Sequence, residues 1–196
     1  MILQKFALYP YSEETTRLYM KTTDDVVTDK EKVELKTLAK VNLETYFNLF
    51  SCLKWKKYVG VESVYLRLKL NGIVKVKIDH LQVKDGDVER HGVLDEEIQS
   101  DASGYVTSNE FTLPEEGMLG VMIEAVSESV LYEVDFSTDQ TGLEENDICI
   151  GIGICTFKRE KYVERNMNLL KEGILNNPAA EAYEHIKICI SDNAVR

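Results

Sequence analysis

The sequence predicts a mainly β protein. It reads as an antiparallel β-sandwich or jelly roll over residues 33–140, followed over 147–196 by a single βαβ unit that opens an α/β domain. Three observations predict it. Between Val33 and Phe136, short alternating runs are separated by clusters of Gly, Asp, Asn and Ser, with almost no helical period. Over Ser137–Asn146 the composition turns polar and loses apolar periodicity, which reads as an interdomain linker, its core at 141–146. From Ile148 onward a continuous apolar run, an amphipathic stretch and a second apolar run follow, as parallel strands covered on both faces require.

In order along the chain, residues 1–32 read as an N-terminal extension that adds an edge strand and a mobile loop through Thr22–Lys32. Val64, Leu66, Leu68 and Leu70 alternate with Tyr65, Arg67 and Lys69, the period of a half-buried strand. Asn71-Gly72 follows, then the run Ile73–Ile78. This reads as a tight hairpin, because a two-residue turn needs positive φ at both positions. Further strands are expected near Val88–Leu94, Tyr105–Leu113, Leu119–Val126 and Val130–Phe136. Asp85-Gly86-Asp87 has the literal Asp-x-Asp form of a metal motif, but inside a β-rich region it predicts a tight turn.

Beyond the linker, the strand Ile148–Cys155 carries isoleucine at every even position and Cys, Gly, Gly, Cys at the odd ones. That small face invites close approach by another element. Gly151 and Gly153 lack the third glycine of a phosphate loop. Val163, Met167, Leu170 and Ile174 form a helical stripe read as packing, with a stop at Asn176-Asn177-Pro178. Ile186–Ile190 is the second strand, joined by a right-handed crossover.

Composition narrows the function classes. A net charge of −11 argues against general binding to a nucleic-acid backbone. The local patch Lys54, Lys56, Lys57 reads as a solvated rim. No run approaches the ~20 apolar residues of a membrane helix, and no secretory signal is visible at Met1–Ala7. The four cysteines (Cys52, Cys149, Cys155, Cys189) lack zinc spacing, and the last three lie in apolar segments as small hydrophobes, which reads as a reducing cytoplasm. Tyr46, Phe47, Phe50, Trp55 and Tyr58 form the densest aromatic cluster, read as sandwich core ahead of a sugar platform. His80, His91 and His185 have no partners at metal-ligand spacing.

Ligands of open α/β sheets bind outside the carboxyl ends of the strands. If the two strands are neighbours, Thr156, Arg159 and Asp192 emerge at one edge, beside a helix N-terminus whose free N–H groups favour an anion. Arginine suits a diphosphate; a carboxylate suits a base N–H or a ribose hydroxyl. That is the outline of a nucleotide pocket.

The segment Ile150–Arg159, ending Thr156-Phe157-Lys158-Arg159, then a helix and Ile188-Cys189-Ile190-Ser191-Asp192-Asn193, resembles the opening of family 2 glycosyltransferases of the GT-A fold. The upstream block Thr45-Tyr46-Phe47-Asn48-Leu49-Phe50, with Trp55-Lys56-Lys57-Tyr58, resembles the β-sandwich that precedes the catalytic domain in galactofuranosyltransferases. The resemblance implies that Thr156 and Arg159 line a uridine diphosphate pocket and that Asp192 binds the uracil or ribose. Lys158 stands where the family has Asn. It further implies a UDP-sugar donor, a glycan acceptor, and in the intact enzyme a manganese or magnesium ion and a catalytic base supplied further downstream. The chain is therefore expected to be the inactive N-terminal part of a cytoplasmic, membrane-peripheral enzyme of polysaccharide synthesis, prone to self-association. The competing expectation is a non-catalytic carbohydrate-binding or assembly module.

Overall fold

The computed structural model describes residues 1–8, 13–29, 31–101, 104–143, 149–176 and 185–192. The chain divides into two compact units, Met1–Glu144 and Glu145–Arg196. The first contains β1 (Ile2–Lys5), α1 (Glu13–Tyr19), β2 (Lys21–Thr22), β3 (Val26–Thr28), β4 (Val33–Leu35), β5 (Lys40–Asn42), β6 (Phe50–Ser51) and α2 (Cys52–Val59). It continues with β7 (Ser63–Lys84), β8 (Asp87–Ser100), β9 (Tyr105–Thr107), β10 (Phe111–Thr112), β11 (Met118–Ala125) and β12 (Ser129–Ser137).

One strand organises this unit. β7 is 22 residues long and belongs to both layers. Its first half pairs with β12, from Tyr65↔Ser137 to Asn71↔Val130; its second half pairs with β11 on one side and β8 on the other. One layer runs β9–β7–β12–β4–β3, with β1 also on β12. The other runs β8–β7–β11–β5–β2, with β6 also on β11. Every pairing is antiparallel, as the sandwich reading expects.

Asn71-Gly72 is not a turn. The strand passes straight through it, and the turn phase explains why. In a two-residue hairpin Leu70 would face Ile73, so Lys75 and Lys77 would follow onto the face of Leu68 and Leu66. An unbroken strand instead keeps Val64, Leu66, Leu68, Leu70, Val74, Val76 and Ile78 on one face, and all seven are buried. Gly72 sits where the strand bends between layers, with φ +116. A Cβ there would stand 2.3 Å from Ser129 Oγ, so the glycine admits the close approach of β12. The true two-residue turn is Asp85-Gly86, with φ +53 and +90 and Lys84 opposite Asp87, which matches the tight turn expected there.

The first 32 residues contribute directly to the sandwich. β1 pairs with β12, and Leu3, Phe6, Leu8 and Met20 are buried. Within the stretch read as a loop, β3 pairs with β4, Val26 opposite Leu35. Phe136 forms the centre of the core, 4.6 Å from the Phe50 ring and 5.5 Å from Phe6. The helices α1 and α2 were not anticipated from the sequence. α2 ends on Gly60, which takes φ +76 and donates to the Lys56 carbonyl, a left-handed helix stop.

In the second unit β13 (Cys149–Thr156) and β14 (His185–Asp192) are parallel neighbours, with α3 (Glu160–Leu170) between them in sequence and a π-helical turn over Lys171–Leu175. Ile150, Ile152 and Ile154 are half-buried, as are Val163, Met167 and Leu170 of the predicted stripe. The opposite face of the strands differs from expectation. Gly151, Gly153, Cys155 and Cys189 are exposed, and no described element approaches the two glycines. One helix supplies one covering layer, so only the isoleucine face is sheltered. Residues 144–146 of the linker, Asn177-Pro178 of the helix stop, and Asn193 lie outside the described residues.

Candidate functional site

The carboxyl ends of β13 and β14 lie side by side, with Thr156 in register with Asp192. The chain leaves β13 through Phe157 and Lys158, and Arg159 immediately precedes α3. The Arg159 carbonyl accepts from the N–H groups of Tyr162 (3.0 Å) and Val163 (3.2 Å), closing the first turn, while its exposed side chain makes no capping bond. Thr156 Oγ1 is buried and has no hydrogen-bond partner among the described residues, an unmet capacity of the kind a bound polar ligand satisfies. The strands thus bring a hydroxyl, a guanidinium and the Asp192 position to one edge. Glu160, in the first helical turn, answers the helix dipole from the protein's own side.

Lys158 takes φ +52, a left-handed conformation. Asn tolerates this region several-fold better than Lys, so the lysine strains the turn between β13 and α3.

A second concave site lies on the sandwich unit. α2 presents Lys54, Trp55, Tyr58 and Val59, spaced i, i+1, i+4, i+5, along one face. Together with Tyr46, Gln4 and their neighbours, this face lines a cleft of about 710 Å³. The aromatic cluster therefore divides in a way the core reading did not foresee. Phe50 is wholly buried, and Trp55 packs on it, rings parallel within 8° and 5.7 Å apart. Tyr46, however, is 78% exposed and Tyr58 56% exposed. Two exposed rings beside a half-buried indole form a surface patch, not core.

The turn carrying Tyr46 is fixed by buried polar groups. Thr45 Oγ1 and Asn48 Nδ2 both donate to the Tyr19 carbonyl (2.6 Å each), Asn48 Nδ2 also to the Ala7 carbonyl (3.0 Å), and Ala7 N–H donates back to Asn48 Oδ1 (2.9 Å). Phe47 stacks on Tyr19 at 4.7 Å and meets Tyr46 edge-on at 5.0 Å. In the block Thr45-Tyr46-Phe47-Asn48, the outer residues clamp and the inner two display. The sequence signal missed was the single helical face of α2, which eight residues are too few to display as a period.

Other clusters are structural. Lys56 is held between Glu115 (2.5 Å) and Glu62 (3.2 Å), which keeps its ammonium above its ordinary pKa, the Glu115 hydrogen bond first among the causes. Lys57 lies over the Tyr58 ring at 5.1 Å. Arg67 forms a two-pronged pair with the buried Asp135 (Nε 3.1 Å and Nη2 2.8 Å to Oδ2), and the Tyr105 ring covers its guanidinium at 4.4 Å. Hairpin register brings His80 and His91 opposite one another, ring centroids 6.4 Å apart, a pairing their sequence spacing conceals. His80 Nε2 is engaged by the Glu116 carbonyl at 2.7 Å. Among the described residues no group of three or more His, Cys, Asp or Glu side chains is placed to hold a metal ion. None of the described helices is long and apolar enough to cross a membrane.

Compared with known proteins, residues 4–136 match the family described as Galactofuranosyltransferase 2 N-terminal. No curated protein matches the chain. Among solved structures, a family two carbohydrate esterase from Cellvibrio japonicus aligns at 13% identity and TM-score 0.37, over 71% of this chain and 36% of that one. The C-terminal CBM6 of the laminarinase LamC from Zobellia galactanivorans aligns at 10% identity and TM-score 0.36, over 63% and 94% respectively. The CBM22-1 xylan-binding domain of Xyn10C from Paenibacillus barcinonensis aligns at 13% identity and TM-score 0.32, over 60% and 78%. The chain spans about a third of the esterase's length, and at these scores the likenesses carry no functional argument.

Proposed function

This chain belongs to the galactofuranosyltransferase 2 N-terminal family, and from that premise we propose that it forms the N-terminal region of a nucleotide-sugar-dependent galactofuranosyltransferase of the GT-A, family 2 type. In this reading the second unit supplies the first wall of the donor pocket. Arg159 neutralises the diphosphate, the Thr156 hydroxyl donates to it or to the ribose, and the Asp192 carboxylate accepts from the uracil N–H or a ribose hydroxyl. The observation that carries the reading is the alignment of Thr156 with Asp192 at the ends of two parallel strands, with the Thr156 hydroxyl buried and unpartnered among the described residues.

A half-pocket orients a nucleotide but completes no reaction. Sugar transfer needs a base on the acceptor hydroxyl and stabilisation of the departing diphosphate, each worth orders of magnitude in rate. The divalent manganese or magnesium ion implied by the family would supply the second. In this reading both functions come from a further part of the catalytic domain. The uncovered Gly/Cys face of β13 and β14 is where self-association of the chain would occur, read by sedimentation.

The test compares transfer of radiolabelled galactofuranose from its uridine diphosphate donor by residues 1–196 and by a chain extended through the catalytic domain, with and without manganese. Only the extended chain should be active. In it, Arg159→Ala and Asp192→Ala should each raise the donor KM more than they lower kcat. Metal-dependent transfer by residues 1–196 alone would overturn the assignment.

A further inference from the structure

The cleft on the sandwich unit is a built site with no role in the nucleotide reading. Its aromatic members are held in place. Trp55 is pinned by one face to Phe50, and Tyr46 is carried on a turn whose Thr45 and Asn48 side chains are buried and hydrogen-bonded. Rings fixed in this way lose little conformational freedom when something covers them. Tyr46 and Tyr58 stand outside the buried core, 78% and 56% exposed.

The chemistry of the lining identifies the occupant. The aromatic faces offer apolar, electron-rich surfaces that match the C–H faces of a sugar ring. Among them are hydrogen-bonding groups suited to hydroxyls: the Gln4 amide oxygen, whose NH2 donates to the Asn48 and Leu49 carbonyls, the Ser51 hydroxyl and the Lys54 ammonium. Among the described residues the lining contains no carboxylate, which disfavours a cation, and Lys54 is its single charge. Its volume, about 710 Å³, falls within the ~300–1,000 Å³ of small-ligand clefts. Aromatic planes with the uncharged Gln4 and Ser51 groups and one lysine beside them, in a cleft of that size, are complementary to a short stretch of neutral oligosaccharide.

We propose that this cleft, floored by Trp55 and walled by Tyr46 and Tyr58, is a binding site for a neutral glycan chain carrying galactofuranose. The site holds the glycan on the sandwich unit. The choice of galactofuranose, though not the existence of the site, rests on the family reading given above.

The molecule carries its own reporter, because Trp55 is the single tryptophan of the chain. The experiment titrates the full chain with a galactofuranosyl tetrasaccharide and follows Trp55 emission, with cellotetraose and an oligogalacturonide as comparison ligands. The expected result is a saturable blue shift with the galactofuranosyl ligand. Tyr46→Ala and Tyr58→Ala, both exposed and therefore safe for folding, should each weaken binding about tenfold. No emission change at millimolar ligand, or binding unaltered in both variants, overturns the site. Equal affinity for cellotetraose overturns the sugar identity, and tighter binding of the oligogalacturonide overturns the neutral assignment. A parallel titration with uridine diphosphate separates the two readings. Nucleotide binding without a Trp55 response to any sugar sinks this inference alone, while a sugar response without nucleotide binding sinks the donor-pocket reading alone.

Discussion

Replacing Gly72 by alanine tests the most unusual feature of the sandwich. Two costs arise at this position. The backbone sits at φ +116, where a Cβ is strained by about 1–3 kcal/mol. The added methyl would also lie 2.3 Å from Ser129 Oγ and 2.8 Å from both the Glu128 carbonyl and Ser129 Cβ. The hydroxyl can rotate away, but the carbonyl is backbone, so overpacking adds about 1–3 kcal/mol. The sum is about 2–6 kcal/mol, a shift in Tm on the order of 10 °C for a chain of this size. Gly86→Ala is the matched control. It also has positive φ, at +90, but nothing lies within 4 Å of its Cβ, so it should lose only about 1–2 kcal/mol. Urea unfolding followed by Trp55 emission measures both. Equal losses for the two variants would mean that Asn71-Gly72 is an open turn like Asp85-Gly86, and the shared bent strand would be wrong.

Asp135→Ala should cost about 3 kcal/mol in the same assay, the lower end for a buried pair because Arg67 retains some contact with water. The double variant Asp135→Leu, Arg67→Met should recover most of that loss. Burial pushes the Cys52 thiol up to about 12, so at pH 8 it should resist iodoacetamide while Cys155 and Cys189 react, read by peptide mass. The same shift makes the folded state hold a proton that the unfolded chain releases above about pH 9. Stability should therefore fall between about pH 9 and 12, more steeply than in Cys52→Ala. Lys158→Asn should raise protection of β13 and α3 from hydrogen exchange, by roughly 0.5–1 kcal/mol, since it relieves the φ +52 strain; weaker protection would refute the backbone explanation.

The layers of this fold were legible because alternation survives at single-residue resolution. The runs around Leu66, Val76, Ile123 and Val134 all became buried strand faces. What misled was the dipeptide Asn71-Gly72, a local signal set against a longer one. The phase of Leu70 and Val74 opposed a hairpin, and the global pattern won because two lysines would otherwise have entered the core. α2 escaped notice because eight residues carry too few turns to display a period, and its only clear marker, Gly60, lies outside it. At the strand ends of the second unit, the juxtaposition of Thr156 and Asp192 followed from parallel pairing alone. The cleft did not, because Tyr46 and Trp55 are joined by tertiary packing across a turn, and composition cannot tell a displayed ring from a buried one.

The shared strand has a mechanical consequence. In an ordinary sandwich the layers are held to each other only by side chains, and they can slide or part while each keeps its ladder. Here pulling the layers apart must tear β7 out of one ladder or the other, since the same backbone is bonded to β12 below Gly72 and to β11 above it. The unit should consequently open all at once or not at all, so the aromatic cleft, whose floor rests on Phe50 between those layers, keeps its shape until the whole unit melts.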